Sequence, residues 1–388
     1  MAAAVSASLT RKSFSIINKK SGFNFIKPVE RLSKMTKIDQ HIEIVRSSCS
    51  WLSSMSQESH DTLKLVLKKN FKTVGTTIVN TPEDLDLIVA KNPDLVFLGM
   101  KFVPSDERLG LKDSKRIWVT DFLDDHEILY TGSSQAAHIL ELNKPLAKQR
   151  ALDKGLCTSR FFVVEQDEAT VQSNGQLDYP LFVKPIDRGG GMGIDSTSVV
   201  RNFKELQSKI KSITSELQSD SMVEEYLEGR EFSVAVLKNE FTDEYETMPI
   251  ELIVNPDHKG ISILSGKVKS SNSEQAVELK DKALKTEICD LALDIFIALG
   301  ARDYGRIDIR LDQDGIPNFL EANLLPSLIQ GYGSFPKACI LNLGLDYESM
   351  ILGIVRLALK RRYENQSELV SAEDSALAIF DAALIAKA

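Results

Sequence analysis

The sequence predicts an α/β protein assembled from α+β lobes, and three observations carry that expectation. Residues 41–98 alternate strand and helix at the two hydrophobic periods. Residues 278–299 form one long amphipathic helix, and that helix leads into a segment, 304–311, whose apolar residues recur at every second position.

In chain order, strands are expected over 41–45, 72–79 and 95–98, with helices over 57–70 and 82–90 between them. A helical stretch over 136–154 should break just before Pro145. Strands follow over 161–164, 181–183, 222–227 and 232–237, the last two separated by a turn at Glu228-Gly229-Arg230. The alternating strand 304–311 turns back at Asp312-Gln313-Asp314-Gly315, and helix signals resume over 347–363. The lobes divide as a leader over 1–40, an N-terminal α/β domain over 41–130, a central lobe over 131–230, a C-terminal lobe over 231–363 and a helical tail over 364–388.

The segment YGRIDIRLDQDGIPNFLEANLLPSL carries the most chemistry. Alternation puts Ile307, Ile309 and Leu311 on one face and Arg306, Asp308 and Arg310 on the other. Pairing Leu311 with Ile316 across the turn sets Arg306 opposite Glu321, Asp308 diagonal to Glu321, and Asn323 on the same face. Taken singly, each reads as a polar residue on a solvated strand. Together, Asp308, Glu321 and Asn323 supply the hard oxygen ligands that magnesium takes, and Arg306 is placed to neutralise a phosphoryl group in transfer.

Two further segments are ambiguous alone. In DYPLFVKPIDRGGGMGIDSTSVV, a short strand ends at Lys184-Pro185 before Gly189, Gly190, Gly191 and Gly193. Such a loop brings backbone N–H groups close to phosphate, yet a plain surface loop explains it as well. In SMVEEYLEGREFSVAVLKN, a strand edge with carboxylates beside it suits a nucleoside, and equally reads as an ordinary hairpin.

The order of these segments resembles the ATP-grasp enzymes, and LYTGSSQAAHILELNKPLAKQRALDKGLCTSRFFVV narrows the resemblance to D-alanine:D-alanine ligases over about residues 128–345. The resemblance implies an ATP-grasp fold preceded by a pre-ATP-grasp α/β domain, and an ADP-forming carbon–nitrogen ligase. It implies ATP and two magnesium ions, with manganese as a substitute, held by Asp308, Glu321 and Asn323. Lys144 and Lys184 would contact the phosphates under the loop containing Gly190 and Gly191. Glu224, Glu225, Tyr226 and Leu227 would line the adenine site, Glu231 would hold the ribose, and Arg306 would touch the transferred phosphate. Lys267 would reach the phosphates from a second loop, or is a solvated lysine there.

The chain departs from that family where a dipeptide would be closed in. Gly190 and Gly191 replace a pair of serines, Lys267-Val268 replaces lysine-tyrosine, and EIVRSSCSWLSSMSQESH offers no counterpart to a glycine-rich turn bearing a glutamate. The acceptor loop reads Leu324-Leu325-Pro326-Ser327, then Gln330 to Phe335. A changed substrate follows, within a group that includes ligases joining serine, threonine or glycine to mycosporine-glycine. The alternatives are an authentic D-alanine:D-alanine ligase, a non-catalytic ATP-binding protein and an ATP-grasp carboxylase; no biotin-carrier lobe is evident for the last.

Composition agrees with an enzyme acting on small molecules. The chain of 388 residues is 43% hydrophobic, enough for a large core, and its net charge of −8 argues against nucleic acid or anionic membrane as partner. No apolar run approaches the ~20 residues that span a bilayer. Cys49, Cys157, Cys289 and Cys339 show no CxxC pairing and suit a reducing, cytoplasmic compartment. Residues 1–29 lack Asp and Glu but carry Arg11, Lys12, Lys19, Lys20 and Lys27, which fits an organelle-targeting leader or a disordered one, with Met35 as an alternative start. In the tail, Leu377, Ile379, Phe380 and Leu384 form an apolar stripe that suits a second copy in a homodimer or packing on the chain itself.

Overall fold

Ile42, Ile44 and Val45 are fully buried because their strand, β1 (Ile38–Arg46), is flanked on both sides by parallel partners, β2 (Phe71–Ile78) and β3 (Leu95–Leu98). The structure, a computed structural model, describes residues 37–106, 115–166, 177–256, 260–264, 266, 268 and 273–362. Lys267, the tail and nearly all of the leader lie outside the described residues.

Helix α1 (Gln57–Asn70) starts at Ser56, whose side chain accepts from the Ser59 N–H, and buries Leu63 and Leu67. The single helix expected over 82–90 is divided into a 3-10 turn (Pro82–Leu85) and α2 (Asp86–Lys91). The Asp84 carboxylate accepts from the Asn80 and Thr81 N–H groups and holds that first turn tight. A two-stranded pair, β4 (Phe102–Pro104) and β5 (Arg116–Trp118), and α3 (Val119–Asp125) complete this region.

Helices α4 (Gln135–Leu142) and α5 (Lys144–Asp153) meet at Asn143, whose side chain caps α5 while Pro145 occupies its first turn. Four antiparallel strands follow, β6 (Phe161–Val164), β7 (Leu181–Pro185), β8 (Val199–Val200) and β9 (Ser221–Glu225), in the order β6-β9-β7-β8. Helix α6 (Phe203–Leu217) covers them, setting Leu206, Ile210 and Ile213 against Val183 and Val223.

The largest sheet is antiparallel: β10 (Glu231–Lys238), β11 (Tyr245–Ile253) and β12 (Gln275–Glu278), then after α7 (Lys282–Ala298) β13 (Tyr304–Leu311) and β14 (Pro317–Asn323), in the order β12-β11-β10-β13-β14. Strand β11 lies in a segment for which the sequence had suggested no strand, and it holds Pro249, a residue that is uncommon in a strand interior. It is tolerated because β12 pairs only with residues 250–253, so Pro249 lies past the end of that ladder. One face of the sheet, Phe232, Val234, Val236, Ile307 and Ile309, packs on α7 through Ile288, Ala292 and Ile295. The opposite face divides. Ala235, Leu237, Met248 and Ile250 join the core of the N-terminal region, and the Glu231, Ser233, Asp308 and Arg310 end is left polar. That division puts a charged strip over a rigid sheet.

No single helix among the described residues is long and apolar enough to cross a membrane. The last two helices, α8 (Ser334–Leu343) and α9 (Tyr347–Arg362), pass that test only as a pair bent by 103°. Their Phe335, Cys339, Ile351 and Ile354 are in the protein core.

Candidate active site

The polar strip begins with the pairing of β13 and β14. Asp308 lies directly opposite Glu321 and Arg306 opposite Asn323, because the register shifts by one residue between Asp308 and Ile309. This corrects the expected register, in which Arg306 faced Glu321. Leu311 pairs with Pro317 rather than Ile316, which stays in the turn because the Asp312 carboxylate accepts from both the Asp314 and Ile316 N–H groups. Leu320 is then the extra residue of a β-bulge, and the bulge returns Glu321 and Asn323 to the working face.

Arg306 donates to both oxygens of Asp308, at 2.9 and 2.7 Å, while Ser233 Oγ donates to the same carboxylate at 2.7 Å and Asn323 Nδ2 at 3.3 Å. Burial opposes the charge on Arg306, but Asp308 outweighs it and raises the guanidinium above its ordinary value. Among the described residues no three His, Cys, Asp or Glu side chains gather into a metal cage. The set here, two carboxylates and an amide, fits a hard cation that completes its coordination with phosphate oxygens and water.

Glu224 stands at the centre of a second cluster. Its carboxylate receives Lys184 Nζ at 2.6 Å, Lys148 Nζ at 2.8 Å and Ser159 Oγ at 2.9 Å, and all of these groups are buried. Burial opposes its charge, yet the two ammonium groups hold its pKa down at about 2. Burial lowers Lys148 to about 8, against the pull of Glu224 and with the repulsion of Lys184. Lys144 Nζ donates to the Arg188 carbonyl and sits 4.0 Å from Glu321 Oε2, so α5 delivers it between the glycine loop and the metal-type carboxylate.

One cleft between the two larger sheets is lined by Lys184, Glu224, Glu225, Tyr226, Leu227, Glu231, Asp308 and Glu321. The Tyr226 ring stacks near Phe182 at 6.4 Å between centroids and carries the Arg310 guanidinium over its face at 5.3 Å. Arg310 also pairs with Glu231 at 3.0 Å and donates to the Ser262 carbonyl, which fixes the carboxylate expected to hold a ribose. Glu225 differs from its neighbours: its carboxylate forms an ion pair with Arg160, and its backbone N–H donates to the Arg160 carbonyl. Gly190 and Gly191 stand in the loop after Arg188 and do not line the cleft. Their φ angles of +65° and +80° lie in the left-handed region.

Reading the sequence missed three contributors. Lys148 follows Lys144 by four residues, which puts both on one face of α5, and that spacing was the available signal. Arg310 shares the face of Arg306 and Asp308 but had been given no role. Glu141 left no local signal. It accepts from the Leu324 N–H at 2.8 Å, next to Asn323, and pairs with Lys101 at 2.7 Å and His138 at 2.8 Å. Burial opposes its charge, but Lys101 and His138 bring it down to about 2.

The profile of the family described as D-ala D-ala ligase C-terminus matches residues 152–356, more than half of the chain. A D-alanine–D-alanine ligase of Marinomonas is 32% identical over 59% of this chain and 69% of its own length, and that of Aquifex aeolicus 28% over 61% and 76%. An uncharacterized protein, y4sG of Sinorhizobium fredii, is 31% identical over 61% of this chain and 68% of its own. Among solved structures, a D-alanine–D-alanine ligase of Bacillus anthracis complexed with ATP superposes with a TM-score of 0.64 at 22% identity, over 84% of this chain and 99% of that one. The family match, the shared fold and the cleft agree: the chain belongs to the D-Ala–D-Ala ligase family and is an ATP- and magnesium-dependent, ADP-forming ligase of the ATP-grasp fold acting on small molecules.

Proposed function

We propose that this ligase condenses an amino acid with a substrate other than D-alanine, and that mycosporine-glycine, extended by serine, threonine or glycine, is the pair to test first. ATP would phosphorylate an oxygen of the first substrate to give an acyl phosphate or its enol equivalent. The amine of the second would then displace phosphate, forming the carbon–nitrogen bond and releasing a proton and inorganic phosphate. Lys144 and Lys184 would hold the nucleotide phosphates, with Tyr226 and Leu227 beside the adenine and Glu231 on the ribose. Asp308, Glu321 and Asn323 would hold two magnesium ions that share Glu321, and Arg306 would neutralise the phosphoryl group in transfer.

The observation that carries the substrate reading is the backbone at Gly190 and Gly191. Two successive left-handed residues suit glycine and strain the serine pair that a dipeptide ligase would place there. Residues 47–57, which follow β1, add a second support, since they contain no carboxylate to receive the ammonium of a first amino acid. The test is phosphate release from ATP and magnesium across amino acids, with and without mycosporine-glycine, with products identified by mass. Release only with both substrates upholds the reading. Release with D-alanine alone overturns it in favour of dipeptide synthesis.

A further inference from the structure

Lys148 is bonded into the site's framework, yet it has no exposure from which to meet a substrate. Its ammonium donates to Thr158 Oγ1 and Ser159 Oγ, each at 2.7 Å, and pairs with Glu224 at 2.8 Å. Each contact leads onward to a different wall of the cleft. Through Glu224 and Ser159 it reaches Lys184 on β7. Through Thr158, whose hydroxyl donates to the Phe319 carbonyl at 2.7 Å, it reaches β14 on the other sheet.

Phe319 is the residue just before the bulge. Its N–H is also held, by the Cys157 carbonyl at 2.9 Å, so residues 157–158 cap the outer edge of β14 where its register shifts. Without that shift, Leu320 would stand opposite Asp308 and Glu321 would turn to the other face. The position of Glu321 therefore depends on the Phe319 clamp, and the position of Lys184 on Glu224. Lys148 is common to both.

We propose that Lys148 is a positioning residue that sets the phosphate-binding lysine, Lys184, and the metal-binding carboxylate, Glu321, in one geometry across the joint between the two sheets. This rests on the roles proposed above for those two residues. Lys148 works by occupying four acceptors at once, Thr158 Oγ1, Ser159 Oγ, Glu224 and, at 3.4 Å, the Phe319 carbonyl itself; a side chain of similar size without donors leaves the Thr158 hydroxyl free to turn and Glu224 held by one ammonium only.

The test is ATP binding to the full-length chain by calorimetry, with magnesium and with EDTA, for Lys148→Met, Thr158→Val, Lys184→Met and Glu321→Ala, alongside thermal melting. Lys184→Met should weaken binding in both conditions, and Glu321→Ala should remove only the gain that magnesium confers. If neither does, the site assignment fails rather than this proposal. Lys148→Met should weaken ATP about tenfold in EDTA and also lose most of the magnesium gain, the size expected for a displaced charged contact. Thr158→Val should keep metal-free affinity within about twofold and lose part of the magnesium gain, since it weakens one branch while Lys148 keeps its own bond to the Phe319 carbonyl. A folded Lys148→Met that binds ATP like the parent in either condition overturns the proposal. Should Lys148→Met fail to fold, Thr158→Val decides alone, and an intact magnesium gain in it overturns the proposal.

Discussion

Asp308 and Glu321 face each other across two antiparallel strands only because Leu320 is bulged out of the ladder between them. A one-residue slip in a strand exchanges its faces, so the bulge decides whether the site has two carboxylates or one. If Glu321 and Arg306 act on charge that develops in transfer, as proposed, replacing Glu321 by Ala should reduce ATP turnover by about 10³-fold or more, and Arg306→Ala by about 10²- to 10³-fold through kcat. Steady-state ADP formation measures both. Retained turnover in Glu321→Ala would remove it from the metal set.

The Arg310–Glu231 pair fixes a carboxylate beside the nucleotide cleft. If Glu231 takes the ribose hydroxyls, Glu231→Gln should reduce the preference for ATP over 2′,3′-dideoxy-ATP from about tenfold to near unity. Competition binding with the two nucleotides reads this directly, and an unchanged preference would place the ribose elsewhere.

Acid should weaken the fold through Glu141 and Glu224. Both are held near 2, against an ordinary value of 4.5. The stabilisation is complete above about pH 4.5, where unfolded and folded carboxylates are both ionised, and is lost as pH falls from there toward 2, because the unfolded chain takes up the protons first. Each contributes on the order of 3 kcal/mol. Urea unfolding between pH 7 and 2.5 should show midpoints falling below pH 4.5, with a shallower fall in Glu141→Gln. An equal slope in that variant would mean that Glu141 is not held down by Lys101 and His138.

Restoring serine at Gly190 and Gly191 should not create a dipeptide ligase. Each serine at a left-handed φ costs about 1–2 kcal/mol. Gly190→Ser/Gly191→Ser should therefore melt lower by several degrees or shift the loop, and D-alanine-dependent phosphate release should stay at background. Dipeptide formed at a substantial rate would show that these two positions alone divert the substrate.

The sequence by itself determined the class of fold and the ligase family. Strand alternation put Arg306, Asp308 and Arg310 on one face, and the Asp312–Gly315 turn brought the strand bearing Glu321 and Asn323 back beside them, although the face those two occupy is decided by the bulge. These are local properties of period and turn chemistry. Tertiary structure decided what depends on contacts distant in sequence. Residues 157–158 meet β14 at Phe319, where its register shifts, and the charge of Glu224 is held by lysines on two separate elements. Glu141 reaches the backbone beside Asn323 from a helix 183 residues away in sequence. Strand β11 forms around a proline because its neighbour ends there. Periodicity reports which side of an element is buried, whereas the partner that meets it is fixed only when the chain closes on itself.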